Sequence, residues 1–370
     1  MQFDASKLMK FFGLSGLASG PGSVVGVDIG SSSVKVVELR RERGAAALVT
    51  YGELQLGPYA HTDIGRATNL GPGVLAEALM DILREANVQS RAAAFGISYA
   101  ASFLTVITLP TREGGEIASM VPIEARKYVP VPISEVTLDW FVIPEARGAE
   151  RSGGQPPTTR VLLAAIHNEA LAKYRAVAKG AALATGFTEM EVFSTIRSSV
   201  LEEDGTVAIV DFGAATTKLY VVAGGIVQRT HSMPVGSQDM TLSLAQALTL
   251  TVAVAEELKR QTGLVEGGND PRIRQSLDFA LSRILSETHR VMRAYEGAAR
   301  AKITKVILAG GGALLRELPA YATASLGRTA VLADPFAKVE YPAFLEETLK
   351  EAGPSFAVAL GVALRRLAEE

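Results

Sequence analysis

The chain has 370 residues, 48% of them hydrophobic and 21% charged, with a net charge of −2 and no cysteine. This composition describes a globular protein with a large core, organised in about two to three domains. It excludes disulfides, thiolate metal sites and cysteine nucleophiles, and it offers no bulk attraction to nucleic acid or to an anionic membrane.

No apolar run reaches transmembrane length. Residues 1–22 set Phe3, Leu8, Phe11, Phe12 and Leu14 beside Lys7 and Lys10. They read as a loosely docked terminus, with a small membrane or partner anchor as the alternative. Residues 24–37, VVGVDIGSSSVKVV, read as an apolar strand, an Asp-x-Gly turn and a return strand. A third strand is expected over 45–56, then a polar Gly/Pro loop over 57–73 and an amphipathic helix over 74–87.

Strands are expected over 92–97 and 103–109, and a helix over 113–127 ahead of the proline-rich turn VPVPIS. Strands over 137–143 and 160–166 flank an exposed Gly/Pro loop at 146–159, and a helix is expected over 169–184. Residues 91–184 thus read as a compact αβ insertion. Residues 207–220, VAIVDFGAATTKLY, then repeat the opening pattern. Helices follow over 238–247 and 252–262, the second stopped by Gly263. A loop at 263–272, a long helix over 276–301 and a buried strand over 306–309 lead to Gly310-Gly311-Gly312 and a helix from Leu314. The last element is an apolar helix containing Gly361.

The repeat carries the chemistry. In register, Asp28 falls on Asp211, Gly30 on Gly213, Ser33 on Thr216 and Lys35 on Lys218. Small residues keep each turn bare, so backbone N–H groups of Gly30, Ser31, Ser32 and Ser33, and of Gly213, Ala214, Thr216 and Thr217, can approach phosphate. Lys35 or Lys218 can offset phosphate charge. Asp28 and Asp211 are placed to hold Mg²⁺ through water, since this ion keeps several waters and takes few direct carboxylates. Gly310, Gly311 and Gly312 allow close backbone approach at a helix N-terminus. Glu256 and Lys259, at i and i+3 on one helix, can take ribose hydroxyls and cover a base. Each feature has a plain structural alternative. Asp-x-Gly is a common hairpin turn, the two lysines can guard edge strands, and Glu256–Lys259 can be a solvated ion pair. No P-loop or Rossmann fingerprint is present.

In this order the segments resemble the actin, Hsp70 and FtsA superfamily over nearly the whole chain. Residues 25–35, 210–217, 256–259, 308–314 and 357–363 are similar to its phosphate 1, phosphate 2, adenine/ribose, adenosine and last connecting segments. The insertion is placed as in FtsA. Within that group, GVDIGSSSVKVVEL and VPIEARKYVPVPISEVTLDW resemble the PilM family of type IV pilus assembly proteins. The resemblance implies an α/β, two-lobed actin-like (ribonuclease H-like) fold with an inserted αβ subdomain. Its parts would be a first lobe at 23–90, the insertion at 91–184, a connecting helix at 185–202, a second lobe at 203–355 and a last helix at 356–370 returning to the first lobe.

The function implied is that of an ATP- and Mg²⁺-binding cytoplasmic scaffold, peripheral to the inner membrane through its protein partners. It would bind the cytoplasmic amino-terminal tail of a PilN-like membrane protein, with Tyr128, Pro130 and Pro132 on the peptide-facing surface. Self-association into rings or filaments belongs to the same expectation. Glu191 falls near the acid that orients water for hydrolysis, but Val192 stands where proline is usual and GAATT where a fuller glycine run is usual. Slow turnover or none is expected, and Glu189 reads as a surface residue. An FtsA-like filament protein and a sugar or acetate kinase are the other readings of this fold.

Overall fold

The computed structural model describes residues 22–111, 114–144, 158–265 and 270–369. The expected amphipathic terminus and nearly all of the loop expected at 146–159 lie outside the described residues.

Three antiparallel strands open the fold: β1 (Ser23–Ile29), β2 (Ser33–Glu42) and β3 (Ala45–Gln55). Helix α1 (Pro72–Glu85) starts on Pro72, whose fixed φ suits the first helical turn. It buries Leu75, Leu79, Ile82 and Leu83 on one face, each worth about 1.5–3 kcal/mol when taken from water. Strand β4 (Ala92–Ile97) then pairs parallel to β1. The chain next leaves this sheet for β5 (Ser102–Leu109), α2 (Gly114–Ala125), β6 (Val136–Val142) and β7 (Thr159–His167). These strands make their own antiparallel sheet in the order β5-β7-β6. Helix α3 (Asn168–Gly180) returns to the first sheet, and β8 (Ala184–Met190) pairs parallel to β4.

The first sheet therefore runs β3-β2-β1-β4-β8. The separate unit is narrower than the expected 91–184. Strands β4 and β8 are hydrogen-bonded into the first sheet, and Tyr174, Val177 and Ala178 of α3 pack into its core with Leu79 and Phe95. Residues 102–167 remain as the insertion. An apolar strand looks the same in sequence whichever sheet it joins, which is why the boundary was not legible.

Helix α4 (Glu191–Ser199) connects to a second sheet with the same plan. Strands β9 (Thr206–Phe212), β10 (Thr217–Ala223) and β11 (Ile226–Met233) form the antiparallel part. Helices α5 (Ser237–Leu248), α6 (Val252–Thr262) and α7 (Pro271–Ala299) precede the parallel strand β12 (Lys305–Ala309). Helix α8 (Leu318–Leu326) and strand β13 (Ala330–Leu332) complete the order β11-β10-β9-β12-β13. The internal repeat is thus a repeat of topology. Asp28 lies opposite Lys35 in the β1–β2 ladder, and Asp211 lies opposite Lys218 in the β9–β10 ladder. Both lysines therefore sit on inner strands, not on edges.

Several elements differ from the sequence expectation. Strand β8 occupies the start of the connecting helix expected at 185–202, which begins only at Glu191. Helix α7 begins at Pro271, five residues before 276, because the Asp270 carboxylate accepts the Arg272 N–H as a cap. No helix starts at Leu314. Residues Gly311–Leu314 form one 3-10 turn, and Glu317, with φ of 64°, breaks the chain direction before α8.

The chain ends with α9 (Glu346–Ala352) and α10 (Ala357–Glu369). Helix α10 buries Val358, Leu360, Gly361 and Val362 between the first sheet and α4. At its far end Arg365 reaches Glu189, expected to be a surface residue but only 3% exposed. The Glu189 carboxylate accepts from Arg197 at 2.5 and 3.0 Å, from Arg365 at 2.8 Å and from the Ser194 hydroxyl at 2.6 Å. Two guanidinium partners are what make burial of this carboxylate tolerable.

Candidate functional site

The two Asp-x-Gly turns face one cleft of about 430 Å³ between the lobes. Each is closed in the same way. The Gly30 N–H donates to the Ser33 carbonyl at 2.9 Å, and the Gly213 N–H donates to the Thr216 carbonyl at 3.0 Å. Among the described residues, the N–H groups of Ser31 and Ser32, and of Ala214 and Ala215, donate to no protein acceptor. Such paired, unengaged amides in a tight turn form an anion cradle.

The cleft brings together Asp28, Gly30, Ser31, Ser32, Ser33, Lys35, Asp211, Gly213, Ala214, Thr216, Glu256, Lys259, Gly310, Gly311 and Gly312, along with Glu191. Thr217 is placed elsewhere. It is fully buried, and its hydroxyl donates to the Val235 carbonyl at 2.8 Å. Alternation along β10 turns Thr217 away from the face that carries Lys218.

On the first wall, Lys35 Nζ donates to Ser33 Oγ at 2.8 Å and lies 3.6 Å from Glu53 Oε1. Glu53 is directly opposite Lys35 in the β2–β3 ladder and also accepts the Ser355 hydroxyl at 3.1 Å. Burial pushes the Glu53 carboxyl up, but Lys35 and the hydroxyls of Ser33 and Ser355 outweigh it, leaving it below the ordinary range. Glu53 and Ser355 are among the site residues that sequence reasoning missed. The register of a third strand was the one signal that could have found Glu53.

On the second wall, Lys218 Nζ lies 3.2 Å from Asp211 Oδ2 and 3.0 Å from Glu191 Oε1. Glu191 also accepts the Tyr99 N–H at 2.6 Å. Burial opposes the Lys218 charge, yet Asp211 and Glu191 hold its ammonium above the usual lysine range. Asp28 is half-buried on the cleft floor, and desolvation raises its carboxyl against the pull of Lys35 and Lys218. Gly310 closes the floor with φ of +81°, and a Cβ there would lie 2.4 Å from Asp211 Oδ1. Only a glycine leaves that approach open.

The Glu256–Lys259 pair is not solvated, since each residue is 6% exposed. Glu256 accepts from Lys259 at 2.7 Å, from the Thr241 hydroxyl at 2.5 Å and from Arg260 at 2.7 Å. An ionised carboxylate has about four acceptor positions, so one remains for a ligand hydroxyl. Burial pulls the Lys259 ammonium down despite Glu256. A loop of the first lobe crosses to this corner. The Ala67 N–H donates to Gln238 Oε1 at 3.1 Å, and Gly65, with φ of +83°, backs against the Glu256 carboxyl. Its return is fixed by the Thr68 N–H, which donates to the Ser31 carbonyl at 2.8 Å.

These donors and cradles fit the phosphates and sugar of a nucleotide. The residues expected to hold Mg²⁺ through water, Asp28 and Asp211, both line the cleft; Lys218 pairs with Asp211 at Oδ2. Tyr128, Pro130 and Pro132 lie outside the cleft, on the exposed link between α2 and β6, where Tyr128 is 42% exposed.

A family described as type IV pilus assembly protein PilM matches residues 26–367. The structure titled PilM-PilN type IV pilus biogenesis complex matches with 27% identity and a TM-score of 0.78, covering 93% of this chain and 98% of that one. The ethanolamine utilization protein EutJ from Carboxydothermus hydrogenoformans is 14% identical, with a TM-score of 0.55 and coverage of 97% and 96%. MreB 5 of Spiroplasma citri, solved bound to AMPPNP, is 13% identical, with a TM-score of 0.51 and coverage of 93% and 95%. The last two share the fold alone. The two-lobed α/β architecture is actin-like.

Proposed function

The chain belongs to the PilM family of type IV pilus assembly proteins, and on that premise we propose that it is a nucleotide-binding scaffold of a pilus-type assembly platform. Its partner is the amino-terminal tail of a PilN-like membrane protein. The observation that carries the partner is the match to a PilM–PilN complex over 93% of this chain, at 27% identity and a TM-score of 0.78. The tail lies against the inserted unit, where Tyr128 offers an exposed ring beside Pro130 and Pro132. Prolines with fixed φ make that wall stiff, which lowers the ordering cost of holding an extended peptide.

The protein works at the cytoplasmic face of the inner membrane and is held there through that partner. No helix among the described residues is long and apolar enough to cross a membrane.

The cleft takes ATP. The turns Gly30 to Ser33 and Gly213 to Thr216 hold the phosphates with Lys35, while Glu256 and the Gly310–Gly312 backbone meet the adenosine. Glu191, expected near the acid that orients water, is held at Oε1 by Tyr99 and Lys218. With Val192 where proline is usual and GAATT where a fuller glycine run is usual, turnover is slow or absent, and ATP is a structural or switching ligand that favours the closed arrangement of the lobes by mass action. No described residue favours the filament or kinase readings.

The test is a titration with a fluorescent peptide copying the amino terminus of the PilN-like protein of the same organism, with and without ATP. Saturable binding, weakened more than about tenfold by Tyr128→Ala, is expected for a surface anchor. No binding by protein that still takes up nucleotide would remove the partner assignment and leave the cleft assignment standing.

A further inference from the structure

The Glu256 carboxylate is shaped by a residue outside the cleft. Thr241, on α5, is 2% exposed and is not one of the residues that line the cleft. Its hydroxyl has two acceptors in reach, the Ser237 carbonyl at 3.2 Å and Glu256 Oε2 at 2.5 Å. The single proton goes to the carboxylate, the closer and charged acceptor. The Thr241 oxygen in turn accepts from Lys259 Nζ at 2.9 Å, and Lys259 donates to the same Oε2 at 2.7 Å. Thr241, Glu256 and Lys259 thus close a triangle of hydrogen bonds.

This triangle decides what the corner can offer a ligand. An ammonium has three protons. Those of Lys259 go to Thr241, to Glu256 and to the Ser237 carbonyl at 3.2 Å, so none is left over for a bound molecule. Oε2 is filled by Thr241 and Lys259. Oε1 accepts from Arg260 at 2.7 Å and keeps one acceptor position. The loop of the first lobe encloses the same group, since a Cβ at Gly65 would stand 2.8 Å from the Glu256 carboxyl carbon. Burial pushes the Glu256 carboxyl up, but Lys259, Thr241 and Arg260 outweigh it and keep it ionised at neutral pH. The corner therefore presents a single fixed acceptor, which suits a ligand hydroxyl.

We propose that Thr241 is a positioning residue of this cleft, holding Glu256 so that its one open acceptor selects a ribonucleotide over a nucleotide without sugar hydroxyls. The proposal rests on the nucleotide reading above and adds the sugar that the cleft prefers. Without the Thr241 hydroxyl, Oε2 gains an open position, Lys259 loses one of its three acceptors, and the carboxylate can turn about its terminal bond. The charge at the corner stays the same and its aim is lost. A site built to hydrogen-bond a hydroxyl rejects the analogue lacking it only while the acceptor has no other way to be satisfied.

The experiment is an isothermal titration of the full chain with ATP and with 2′,3′-dideoxyATP, for wild type, Thr241→Val and Thr241→Ser. Wild type should bind ATP at least about tenfold more tightly than the dideoxy form, the worth of one hydrogen bond to a charged group. Thr241→Val should bring that ratio below about threefold by weakening ATP alone, with dideoxyATP bound as in wild type. Thr241→Ser keeps the hydroxyl and should keep the ratio. A Thr241→Val ratio equal to that of wild type, or a loss that falls equally on both nucleotides, assigns Thr241 to the packing of α5 on α6 and overturns the proposal. Equal wild-type affinity for the two nucleotides also overturns it and leaves nucleotide binding intact. Absence of wild-type binding to either nucleotide overturns the nucleotide reading and this proposal with it.

Discussion

Gly361 and Ser194 touch backbone to backbone: a Cβ on Gly361 would stand 2.0 Å from the Ser194 carbonyl oxygen. This contact seats α10 against α4. It is reinforced by Arg197, which donates to the Gly361 carbonyl at 2.8 Å, and by the Ser198 hydroxyl, which donates to the Ala357 carbonyl at 2.7 Å. The last helix is thereby locked to the segment that runs from the first sheet into the second.

Gly361→Ala tests that lock. The added methyl meets backbone, which cannot rotate aside, so the two helices must separate. A loss of about 1–3 kcal/mol is expected, typical of overpacking a tight core. Urea denaturation measures it, and an unchanged midpoint would mean that the helices part at no cost.

Lys35→Ala tests the first turn. Its ammonium is poised by Ser33 and Glu53 on the cleft wall. A charged hydrogen bond to phosphate contributes about 1.5–3 kcal/mol, or roughly ten- to a hundredfold in Kd. Isothermal titration with ATP reads the change directly. Equal affinity in the variant would place the phosphates away from this turn.

The twin turns were legible because hairpin chemistry is local: Asp, Gly and small residues in a fixed order specify a turn, and strand alternation then sets Asp28 opposite Lys35 and Asp211 opposite Lys218. What was not legible depended on distant partners. Glu53 enters the site through the register of a third strand, whose pairing with β2 slips at Glu38/Leu39. Ser355 arrives from the other end of the chain. Glu189 looked like a surface acid because its partner Arg365 is 176 positions away. The 3-10 turn at Gly311 replaced an expected helix through a left-handed Glu317, a conformation that its residue type does not announce.

Glu189 predicts a pH dependence. Burial raises its carboxyl, but Arg197, Arg365 and the Ser194 hydroxyl outweigh that, so its folded pKa lies below the ordinary 4.5. Ionisation therefore favours the folded state above that value, and this stability is lost as pH falls through the folded pKa. Removing one partner of such a buried group costs about 3–5 kcal/mol. Glu189→Gln should lower the Tm by that equivalent at neutral pH and flatten the fall of Tm on acidification below about 4.5, the unfolded value. Parallel Tm curves for the two proteins would assign the acid sensitivity to other carboxylates.

The loop that crosses the cleft predicts a local opening. It reaches the second lobe through the Ala67 N–H on Gln238 and the close packing of Gly65 on Glu256. Its other end is tied within the first lobe by Thr68 on Ser31. Gln238→Ala removes the acceptor and leaves the tie to Ser31. One lost hydrogen bond of about 1 kcal/mol corresponds to roughly a fivefold rise in the open population. Hydrogen exchange at Ala67 should therefore quicken by about that factor, with little change in global Tm. ATP should slow exchange at Ala67 in wild type and in the variant, because nucleotide draws the two lobes together from both turns. Exchange at Ala67 that ignores both the substitution and ATP would mean that the loop is held by its first-lobe contacts alone, with no part in closing the cleft.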